Sequence, residues 1–81
     1  MNPQATLNEL LEAVGKRDWD RIDELATSLI HWMDDHKFPP ITLGPPALGP
    51  TWHRTLATFV CYMAQAMVRE ARKRRERRPS R

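Results

Sequence analysis

Cysteine is almost missing from this chain of 81 residues: Cys61 stands alone, so no disulfide can close within it, and a reducing, cytoplasmic setting is expected. Glycine is nearly as scarce. Three residues form no Gly-rich phosphate loop, and there is no CxxC pair and no Ser-His-Asp constellation. An enzyme is therefore not expected, nor a cofactor, a catalytic residue or a small-molecule substrate. Long apolar runs are absent as well. The longest, Phe59 to Val68, is interrupted by Gln65 and reaches about half of the ~20 residues that span a bilayer. Met1 to Val14 has no basic start, no long apolar centre and two acidic residues, so it does not read as a secretory leader.

What is present bounds the architecture. A domain this small buries only about 60% of the surface its unfolded chain exposes, and its stability is marginal without a staple or a second subunit. With no disulfide to serve, self-association is the expected aid. The net charge of +3 hides an asymmetry. Arg69 to Arg81 holds eight basic and two acidic residues, which leaves five basic and eight acidic residues in the rest of the chain. The tail of such a chain can meet an external polyanion or the acidic face of another copy.

Asn2 followed by Pro3 makes a good N-cap and first-turn pair, and Thr6-x-x-Glu9 is a second capping candidate. Leu7, Leu10, Leu11 and Val14 then recur at helical spacing up to Gly15, which predicts a first helix over 3–15. Asp18 can cap a second helix over 18–37. In it Trp19, Ile22, Leu25, Ala26, Leu29, Ile30, Trp32 and Met33 share one face, opposite Asp20, Glu24, Thr27, His31 and Asp35. The tight connection Gly15-Lys16-Arg17 predicts an antiparallel helical hairpin over 1–37.

The run Asp18-Trp19-Asp20-Arg21-Ile22, with Glu24-Leu25-Ala26 and Leu29-Ile30, resembles the second helix of a tetratricopeptide-type hairpin. The resemblance covers about a fifth of the chain and implies the same hairpin geometry. Ile22 stands where that pattern usually has alanine, and one unit is fewer than the three or so of a solenoid. No peptide-binding residues are carried over from it.

Residues 38–50 read FPPITLGPPALGP and hold five of the seven prolines, so no helix passes through them. Phe38, Ile41, Leu43 and Leu48 are expected to lay this stretch, as an extended strap, against apolar surface. A long third helix is predicted from Thr51 to about Arg78, its apolar part at 51–71 and a basic extension at 72–81. Two apolar seams run along it. One holds Trp52, Leu56, Phe59, Val60, Met63 and Met67. The other holds Ala57, Cys61, Ala64, Val68 and Ala71, small residues that would let another helix approach closely. The seams span more of the helix than one neighbour can cover, so the small one is expected to face a second copy and the hairpin to cover the other, the competing reading being a monomer in which the proline-rich strap covers the second seam.

Several residues invite chemistry. His31 and Asp35 lie on adjacent turns, a spacing that gives a metal two ligands, but no third ligand is near on that helix, and a solvated face and no metal are expected. Cys61 has no base beside it in sequence and reads as packing. His53, beside Arg54, reads as a first-turn surface residue. Met63, Met67 and the tryptophans at 19, 32 and 52 sit on apolar stripes, where core packing or a protein interface accounts for them. Arg72, Lys73, Arg74, Arg75, Arg77 and Arg78 are the candidates for contact with nucleic-acid phosphates or an acidic partner, with no Asn, Gln or aromatic residue among them to read a base. The expectation is an all-α chain of three helices, forming a helical bundle as a homodimer. Its role would be that of a small interaction or scaffold protein, or else a nucleic-acid-associated accessory protein using its basic arm.

Overall fold

A pair of short helices capped at both ends, followed by an irregular proline-rich stretch and one long helix, make up the chain. The computed structural model describes residues 1–77, the side chains of Glu76 and Arg77 excepted. Helix α1 runs Pro3–Lys16, α2 runs Trp19–Asp34 and α3 runs Pro50–Arg77, with a single 3-10 turn at Pro46–Leu48. No strand occurs among the described residues, so the chain is all-α with three helices. None of its helices is long and apolar enough to cross a membrane, among the described residues.

Each boundary has a local cause. The Asn2 side chain accepts from the N–H groups of Gln4 and Ala5 at 3.0 and 3.2 Å, and Pro3 fills the first helical position, where no N–H is needed. Helix α1 does not stop at Gly15. It passes through to Lys16 and ends on Arg17, whose backbone is left-handed (φ 56°), with the Asp18 N–H donating to the Ala13 carbonyl at 3.1 Å. That closure satisfies carbonyls of the last turn, and an arginine here takes a conformation that glycine adopts more readily. Asp18 then caps α2 by accepting from the Arg21 N–H at 3.3 Å. Helix α2 ends at Asp34, three residues before the predicted limit. Asp35 and His36 close the turn, His36 is left-handed (φ 57°), and Pro39 and Pro40 allow no further helix.

The core lies where the three helices meet. From α1 come Leu7, Leu10 and Ala13, from α2 Ile22, Leu25, Ala26, Leu29 and Met33, and from α3 Ala57, Cys61, Ala64 and Val68. Large side chains on α2 face small ones on α3, a pairing that lets two helices come close. Contacts along the pair set their direction. Thr58 meets Met33 near one end, Gln65 reaches Thr27 in the middle, and Arg72 reaches Asp20 near the other, so α2 and α3 run antiparallel.

Candidate interaction surface

The small seam of α3, expected to face a second copy, is buried within the chain, and the large seam, expected under the hairpin, is exposed. Ala57, Cys61, Ala64 and Val68 are at most 2% exposed, within the chain's own core, and Ala71 is half-buried. The small seam is therefore unavailable to a second copy: small residues admit a helix closely, and the chain supplies that helix itself. The seam of large residues is the one left open. Trp52, Phe59, Met63 and Met67 are between 41% and 58% exposed, Leu56 and Val60 are half-buried, and Tyr62 beside them is 55% exposed. From Thr55 to Val68 the helix carries no charged residue, a stretch of about 21 Å at 1.5 Å per residue.

Alongside that seam runs a groove of about 470 Å³. Leu7 and Leu11 of α1, Ile41 and Leu43 of the proline-rich stretch, and Leu56 and Val60 of α3 line it, with Gln4 and Asn8 at its rim. A shallower apolar surface lies on the outer side of α3, formed by Thr55, Thr58, Phe59, Tyr62, Met63 and Ala66. With half of each of five large side chains exposed, this face offers about 500 Å² of apolar surface from α3 alone, taking roughly 200 Å² per side chain. That is as large as the biggest patch on an ordinary monomer, and such patches mark contact sites.

The proline-rich stretch is held differently from the expectation that its own apolar side chains pin it. Phe38 is 79% exposed and Leu43 74%, and Leu48 is exposed too. Pro39 and Pro40 are the buried members, and the rest is held through its backbone. The Trp32 indole N–H donates to the Phe38 carbonyl at 2.7 Å and the Trp52 indole N–H to the Leu43 carbonyl at 2.8 Å. The Gln4 side chain accepts from the Ile41 N–H at 2.9 Å and donates to the Ile41 carbonyl at 3.3 Å. Arg54 donates to the Lys37 carbonyl at 3.3 Å. A segment without regular structure must find partners for its peptide groups, and side chains of all three helices provide them here. Lys37 also lies over the Trp32 ring, 4.7 Å from its centre.

His53 is the centre of this attachment, and it is buried, not a surface residue of the first turn as expected (1% exposed). Its Nδ1 accepts from the Thr42 N–H at 3.0 Å, with the Thr42 hydroxyl also at 2.9 Å. Its Nε2 lies 3.0 Å from the Pro45 carbonyl oxygen. A carbonyl can only accept and a backbone N–H can only donate, so the ring is neutral with its proton on Nε2. The spacing 53, 57, 61 placed this histidine on the small-residue face, which was the sequence signal for its burial.

The remaining candidates are placed as follows. His31 is exposed and Asp35 caps the end of α2, and no group of three metal-ligating side chains occurs among the described residues. Burial pushes the Cys61 thiol up from 9.0 to about 11, so it is a protonated packing group at neutral pH. Of the basic arm, Arg72, Lys73, Arg74 and Arg75 are exposed and helical. Arg72 turns back to the body, 3.3 Å from Asp20 and 3.7 Å from Asp23. Arg78 lies outside the described residues, as does the side chain of Arg77.

Set beside known proteins, the chain matches no protein family, no curated protein and no solved structure. Its surface is the guide to its role.

Proposed function

We propose that this chain is a small helical interaction protein that self-associates through the large-residue face of α3, in place of the small-residue seam. The observation that carries this reading is the row Trp52, Phe59, Met63 and Met67, left open on a helix with no charge between Thr55 and Val68. A second copy suits it because the face is self-complementary in chemistry: uncharged, elongated and edged by the groove beside Leu11 and Leu43. The ~500 Å² offered by α3, joined to the groove, comes to roughly 600 Å², the lower end of the range per partner for a stable pair. The two α3 helices would run antiparallel, because a parallel pair would set Arg72 to Arg75 of both copies side by side. In this assembly the α1–α2 hairpin backs α3 from inside, and the proline-rich strap frames the contact. Phe59→Glu and Met63→Glu test it in light scattering after size exclusion: each is expected to halve the mass with helical circular dichroism unchanged. A wild-type chain whose mass the substitutions leave alone would count against it.

A second reading is favoured by the arm. Lys73, Arg74 and Arg75 continue α3 as an exposed basic helix, which suits contact with nucleic-acid phosphates without sequence recognition. In an antiparallel dimer the two arms would project from opposite ends.

A further inference from the structure

The three tryptophans do not do the same work. Trp32 and Trp52 use their indole N–H groups to hold the proline-rich stretch. Trp19 has no such partner among the described residues. Its half-buried ring stands at the turn between α1 and α2, where α3 passes after Met67. On one side of it lies a cleft of about 190 Å³, lined by Arg17, Met67, Glu70, Ala71 and Arg74 together with the indole. A neighbouring cleft of about 160 Å³ shares Arg17, Trp19 and Ala71 and adds Asp18, Asp20, Arg72 and Arg75.

The carboxylates nearby are only partly engaged, and the Asp20 side chain is 97% exposed. Asp18 accepts from the Arg21 N–H, and Asp20 and Asp23 meet Arg72. Glu70 remains on the rim. Beside these carboxylates Arg17, Arg74 and Arg75 line the two clefts around the indole, although 57 residues separate Arg17 from Arg74 in sequence. The arm by itself has no aromatic residue. The fold supplies one at its root.

We propose that the α1–α2 turn and the flank of α3 form a site for single-stranded nucleic acid, in which a base stacks on Trp19 and Arg17, Arg74 and Arg75 hold phosphates. An aromatic surface among cations is how unpaired bases are bound without regard to sequence. Bases within a duplex are stacked on one another and cannot reach an indole in a cleft, so the single strand is the fitting partner. The inference rests on the reading of the arm as a phosphate contact and adds base stacking to it.

The test is fluorescence anisotropy of the full chain with a labelled twelve-residue oligothymidylate, and with an abasic oligomer of the same length and charge, at about 50 mM salt. Oligothymidylate is expected to bind about tenfold tighter than the abasic strand, and Trp19→Leu to remove that advantage while Trp19→Phe keeps most of it. Arg17→Gly separates binding from folding. It relieves the left-handed arginine, so the melting temperature is expected to rise while affinity for both strands falls. Equal binding of the two strands, unaffected by Trp19→Leu, would overturn the stacking site and leave the arm as a phosphate contact. Absence of binding to either strand would overturn both.

Discussion

The two faces of α3 show how one helix can carry two unlike surfaces. Facing inward are Ala57, Cys61, Ala64 and Val68, sealed against Ile22, Leu25, Leu29 and Met33. Facing outward are Trp52, Phe59, Tyr62, Met63 and Met67, each about half exposed. The small residues serve the chain's own fold, where close approach is what α2 needs. The large ones are left for a surface whose area is what matters. Hydrophobicity alone therefore does not tell an inner face from an outer one; the size of the side chains opposite does.

The sharpest way to break this comparison is to place the same charge on both faces. Ala57→Glu buries a carboxylate with no partner and is expected to cost more than about 3 kcal/mol, enough to unfold a domain this small, whereas Phe59→Glu leaves the helical signal intact. Thermal melts by circular dichroism check both. Equal melting temperatures would mean that the faces are not distinct.

Next in size is the attachment at His53. His53→Ala removes a buried ring and leaves the Thr42 N–H and the Pro45 carbonyl without their partner, an expected loss of about 2–4 kcal/mol. In the wild-type chain, nitrogen NMR shifts of the ring are expected to place its proton on Nε2. A proton on Nδ1 would contradict the bond from the Thr42 N–H.

Cys61 offers a smaller test of the inner face through pH. In the unfolded chain the thiol ionises near 9.0, and in the folded chain near 11. Between those values the folded state holds the extra proton, so stability falls as pH rises from 9 towards 11. Cys61→Ala is expected to flatten that part of the curve of urea midpoint against pH. Parallel curves for the two proteins would show that the thiol is not sealed.

The smallest effect is expected at the rim. Arg72 pairs with Asp20 and Asp23, but the groups are largely exposed, and Arg72→Ala is expected to change stability by less than about 1 kcal/mol in urea titration. A larger loss would mean that the arm is part of the fold.

How far the sequence was legible follows from the range of the interactions. The three helices were readable from local signals: Asn2 with Pro3, Asp18, the apolar spacing of α2 and the prolines after Phe38. The end of α1 was not, because a left-handed Arg17 replaces the stop that Gly15 suggested. The attachment of the proline-rich stretch was also hidden. Gln4 and Ile41 are 37 residues apart and His53 and Thr42 are 11 apart, and no short-range pattern announces bonds from side chains to a distant backbone. Which seam faces inward was misread because a helical wheel shows stripes without showing their neighbours. The signal that could have assigned them was the bulk of Ile22, Leu25, Leu29 and Met33, which calls for small residues opposite. The clefts at Trp19 were legible only in halves, one in the hairpin turn and one in the arm.

The measurement that tests the central claim most directly is sedimentation equilibrium of the wild-type chain from about 1 to 100 μM, beside Phe59→Glu. The account predicts a wild-type mass approaching twice 9.5 kDa as concentration rises, and a variant that stays at 9.5 kDa throughout. A wild-type chain that remains at 9.5 kDa over the whole range would contradict it.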